Sequence, residues 1–135
     1  MRLSPTIARC CHTLLAAALL CPLVANAEGA VRVFDCRVTD VCDADAKCAT
    51  ANDTVVFRME PQTVDAQGAG RYTLRYNDFA VDMEALSDAG PFHWRQASSR
   101  DTLLASSETR FLWHSLDLSA QPTASLRLLN CTLQQ

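Results

Sequence analysis

Arg71-Tyr72-Thr73-Leu74-Arg75-Tyr76-Asn77-Asp78-Phe79-Ala80-Val81-Asp82-Met83 is the stretch that decides the fold. Tyr72, Leu74 and Tyr76 alternate with Arg71, Thr73 and Arg75. Asn77-Asp78 reads as a tight turn, and Phe79, Val81 and Met83 then resume the same two-residue period. Strict alternation on both sides of a turn is the pattern of antiparallel strands with one buried face.

The pattern extends in both directions. Upstream, Val31–Val38 reads as the first strand. Thr54–Glu60 alternates Val55, Phe57 and Met59 with Val56, Arg58 and Glu60, and Pro61 is expected to end it. Downstream, Glu84–Ala89 is expected to form one helical turn before Gly90-Pro91. Phe92–Gln96, Thr102–Ser106, Arg110–Leu118 and Ala124–Thr132 read as further strands. Arg110–Leu118 is apolar on both faces for part of its length, which marks a central or partly covered strand. The fold class is therefore all-β: a small antiparallel meander of about eight strands, closed or nearly closed into a barrel. A two-sheet β-sandwich is the alternative.

Residues 1–27 have a different character. Arg2 and Arg9 precede the apolar run Leu14–Leu20, and Ala25-Asn26-Ala27 ends the segment with small residues. This order is that of a cleaved secretory signal peptide, and the run is too short to span a bilayer. The mature chain is then Glu28–Gln135, a single β domain in the periplasm or secreted. Leu20 stands before Cys21 where lipid-attachment signals carry a small residue, so a lipid anchor is disfavoured. No second long apolar segment follows, so no transmembrane segment is expected in the mature chain.

Cleavage leaves Cys36, Cys42, Cys48 and Cys131 of the seven cysteines. An oxidising compartment makes them disulfide partners, and four cysteines allow about three pairings. Cys36 and Cys131 sit in the first and last strand candidates, so their bridge would tie the chain ends together. Cys42 and Cys48 would close the short acidic connection Asp40–Asn52. The pairing Cys36–Cys131 and Cys42–Cys48 is expected on this ground.

The mature region carries 10 basic and 15 acidic residues, interspersed and without a basic stripe. Nucleic acid and anionic lipid are disfavoured as partners. Lys47 is the sole lysine against 11 arginines, a composition that favours a bacterial source. The triplets Asn52-Asp53-Thr54 and Asn130-Cys131-Thr132 would be glycosylation sites only in a eukaryotic secretory route.

No catalytic signature emerges. His93 and His114, each beside a tryptophan, are the only mature histidines and lack metal-ligand spacing or an evident triad. Asp40, Asp43 and Asp45 offer too few carboxylates for a calcium loop. Ser98-Ser99 and Ser106-Ser107 fall in turn contexts without a nucleophile elbow. No cofactor and no metal site is expected. Phe92, Trp94, Phe111 and Trp113 either fill the core or, with His93 and His114, contribute to a ligand or partner site. The leading expectation is a non-enzymatic secreted or periplasmic domain that binds an envelope protein. A carrier of a small apolar ligand in a barrel cavity, and a hydrolase using His93 or His114, are the alternatives.

Two short patches, Gly68-Ala69-Gly70-Arg71-Tyr72 and Phe92-His93-Trp94, resemble stretches of the periplasmic inhibitors of c-type lysozyme. That family's Ser-Gly-x-Arg-Tyr has Gly68 here at its serine, and its Lys-Gly is replaced by Arg95-Gln96. The resemblance implies a small secreted, cysteine-pinned barrel, and the chain is not assigned to the family on it.

Overall fold

A computed structural model describes residues 29–134, so the segment expected to be a signal peptide, with Cys21 and the expected cleavage site, lies outside the described residues. Nine strands follow in order: β1 Arg32–Cys42, β2 Cys48–Thr50, β3 Thr54–Val64, β4 Gly70–Tyr76, β5 Phe79–Ala85, β6 Phe92–Arg95, β7 Ser99–Ala105, β8 Arg110–Asp117 and β9 Thr123–Gln134. Neighbouring strands pair antiparallel in the order β1-β3-β4-β5-β6-β7-β8-β9, and β9 returns to pair with β1. Eight strands thus close into a barrel, and β2 is an extra strand on the end of β1. Closure removes the exposed edges that an open sheet or sandwich would leave.

The interior follows from the alternation. Phe57, Met59, Leu74 and Leu103 are fully buried, and Phe34, Tyr72, Tyr76, Met83, Phe92, Trp94, Phe111 and Leu129 pack around them. Both expected disulfides are present, Cys36–Cys131 and Cys42–Cys48. Each joins residues directly opposite one another in a ladder, the first across the β1–β9 seam and the second across β1–β2.

Three local expectations are corrected. Pro61 does not end its strand: β3 runs on to Val64, because the register shifts between Pro61 and Thr63 and a bulge accommodates proline. Glu84 and Ala85 are not helical, since they continue the β5 ladder opposite His93 and Phe92. The acidic connection is partly strand, because the second disulfide holds β2 against β1. Asp43 caps the turn between them, its carboxylate accepting from the backbone N–H of Asp45 and Lys47.

On the outer wall, Glu60 accepts hydrogen bonds from Arg58 and Arg75. Those bonds hold its carboxyl below the ordinary carboxylate value.

Candidate functional site

The antiparallel order puts the turns at two rims. The rim holding the start of β1 carries the turns β3–β4, β5–β6 and β7–β8, and the opposite rim carries β1–β2, β4–β5, β6–β7 and β8–β9. The four aromatics singled out in the sequence divide between these rims, all pointing inward.

Trp94 and Trp113 lie together near the second rim, with ring centroids 6.1 Å apart. Phe57 and Tyr76 complete the cluster, Tyr76 meeting Trp113 edge-on at 5.7 Å. Trp94 Nε1 donates to the Tyr76 hydroxyl at 3.0 Å, and Gln96 also contacts that oxygen. Burial raises the Tyr76 pKa, only partly opposed by the hydrogen bond from Trp94. Trp113 Nε1 donates to Asp101 Oδ1 at 2.9 Å, and Ser99 Oγ donates to Oδ2 at 2.7 Å. Asp101 is the one charged side chain that is fully buried among the described residues. Arg127 also points inward and stacks its guanidinium 4.7 Å from the Trp113 ring centroid. The polar ends of these aromatics are thus satisfied inside the barrel, which is the ordinary requirement for burying them.

Phe92 and Phe111 serve the first rim. With Phe34 they form the floor of an open pocket of about 300 Å³, walled by Arg32, Asp88, Ala89 and the Ser106–Glu108 turn. Phe34 and Phe111 pack as a tilted pair with ring centroids 5.0 Å apart.

The histidines face outward. The ladder registers place Glu84, His93, Thr102, His114 and Leu126 in one row across β5, β6, β7, β8 and β9. His93 Nδ1 lies 3.1 Å from Thr102 Oγ1. Among the described residues neither histidine forms an ion pair with a carboxylate. Ser99 is spent on Asp101, and Ser106 and Ser107 on the backbone of Arg110. No group of three or more His, Cys, Asp or Glu among the described residues is placed to hold a metal ion. No helix there is long and apolar enough to cross a membrane.

The rows flanking the histidine row are of contrasting character. On one side Leu104, Leu112 and Leu128 stand directly opposite one another on β7, β8 and β9. On the other, Arg95 and Arg100 oppose each other and continue into Leu116 and Ala124. Leu104 is 40 % exposed and the other outward leucines are half-buried. A groove beside this wall is lined by Asp82, Glu84, His93, Arg95 and Arg100.

Sequence reasoning missed this outer wall and the inward charges. Arg32, Asp101 and Arg127 share the two-residue parity of Phe34, Leu103 and Leu129, and that parity is the signal that would have found them. Comparison with family models, with curated proteins and with solved structures finds no match to the chain.

Proposed function

We propose that the mature chain is a non-enzymatic binding domain of the bacterial envelope, and that it engages a protein through the outer wall of β7, β8 and β9. The observation that carries this reading is the outward set Leu104, Leu112, Leu116, Leu126 and Leu128, spread over three neighbouring strands and under no other element among the described residues. A contiguous apolar patch with a polar border is the ordinary mark of a partner surface. His93, Arg95 and Arg100 border it, and His114 lies within it between Leu112 and Leu116 on β8. The signal peptide, the two disulfides and the arginine-rich composition support an extracytoplasmic bacterial setting.

Two observations weigh against the alternatives. A carrier needs an open barrel, whereas Phe57, Met59, Leu74 and Leu103 leave the centre filled. A histidine hydrolase needs a base oriented by an acid, whereas His93 has Thr102 and His114 stands exposed on the wall.

Site-specific photo-crosslinking in the native compartment tests the reading. A crosslinker replacing Leu112 or Leu116 should give a discrete protein adduct, and one at Arg75, on β4 across the barrel, should not. Leu128→Asp should weaken the identified complex by about ten-fold or more, equivalent to about 1.4 kcal/mol, without lowering the melting temperature. Equal labelling from both walls, or a turnover abolished by His93→Ala, overturns the proposal.

A further inference from the structure

Arg32 opens β1 at an inward position, two residues before Phe34. Its guanidinium sits 5.8 Å from the Phe34 ring centroid and 5.6 Å from that of Phe92. Nη1 donates to the carbonyl oxygen of Asp88. Nη2 is buried and has no hydrogen-bond partner, and it is the one side-chain polar atom in that condition among the described residues. A buried charged donor without an acceptor is costly, and native structures rarely leave one without a reason. The pocket over the Phe34, Phe92 and Phe111 rings is lined by this same arginine.

We propose that this rim pocket binds a small apolar carboxylate, whose headgroup draws the Arg32 guanidinium outward so that Nη2, closed off from solvent in the free protein, gains an acceptor, while its hydrocarbon body lies on the three phenylalanine rings. Charge decides the headgroup. A guanidinium flanked by aromatic rings and largely shielded from water gains most from an ionised acceptor, because such hydrogen bonds are roughly twice as strong as neutral ones. Asp88 and Glu108 also border the pocket, but both are exposed, and solvent and salt screen exposed carboxylates. At about 300 Å³ the space suits a body of one ring or a short alkyl chain. This site is separate from the leucine wall and does not depend on the partner proposed there.

Titration of the ¹⁵N-labelled, disulfide-intact mature protein with 3-phenylpropionate, and in parallel with 3-phenylpropionamide, tests the proposal. The carboxylate should saturably shift the Arg32 side-chain N–H and the backbone amides of Ser106, Ser107 and Glu108. The amide should bind about ten-fold more weakly, the loss expected for one charge-assisted hydrogen bond. Arg32→Met should abolish the difference between the two probes, with the melting temperature held or raised because the orphan donor is gone. Absence of saturable shifts, or equal binding of both probes, overturns the proposal. So does an Arg32 resonance that moves in Glu108→Gln and ignores the carboxylate, since the acceptor would then come from the chain itself.

Discussion

Tyr76 is the residue whose surroundings make the sharpest statement about pH. Its phenol is buried against Trp94 and Trp113, and burial raises its pKa. The unfolded chain therefore ionises first as pH rises. The stabilisation is fully present below the unfolded tyrosine value near 10 and is lost as pH climbs through the folded one. Tyr76→Phe should remove that alkaline loss, at the cost of the acceptor for Trp94 Nε1. A pH series of melting temperatures checks it: the variant's curve should be flatter than the parent's on the alkaline side.

At the scale of elements, the β3–β4 connection needs glycine at two positive-φ positions, Gly68 in the turn and Gly70 at the start of β4. Gly70 has φ +141°, and a Cβ there would lie 2.1 Å from the Thr63 carbonyl oxygen across the bulge. Gly70→Ala should destabilise the fold by about 1–3 kcal/mol through backbone strain, with the steric contact adding to it. Denaturant unfolding with an unchanged slope would confirm a native-state effect. Most of the barrel strands were legible through their own alternation, as with Tyr72-Leu74-Tyr76, whereas Arg110–Leu118 was read as a strand although it is apolar on both faces for part of its length. The disulfides were legible because Cys36 and Cys131 end matching apolar runs in the first and last barrel strands. β2 was not: its three residues are all exposed, and only the second disulfide and the ladder to β1 make it a strand. The extension of β3 past Pro61 hid behind the usual meaning of proline. The leucine wall stayed hidden for another reason, since it depends on the register of three strands at once and no single strand shows it. Phe92 and Trp94 were recognised as a pair, yet they serve opposite rims, because their surroundings come from strands far apart in sequence.

Taken whole, the molecule presents three separate regions. The filled interior supplies stability, the wall of β7, β8 and β9 is the proposed partner surface, and the Arg32 rim is the proposed carboxylate site. The β1–β9 seam joins the first and last barrel strands, and Cys36–Cys131 closes a loop of 95 residues across it. In the chain-entropy view that bridge contributes roughly 4–5 kcal/mol, comparable with the entire stability of many small domains. The same seam determines what the protein does when stretched. Val33 lies opposite Gln134, so the two ends leave side by side, and tension between them would peel the seam like a zipper. Only the rungs Val33–Gln134, Phe34–Leu133 and Asp35–Thr132 stand before the sulfur bridge. Pulled in an atomic-force experiment, the oxidised molecule should lengthen by that short peel and then hold as a covalent clasp. Reduced, it should pay out the whole barrel. Held by both ends, the domain would thus pass the load through one disulfide and keep its surfaces intact.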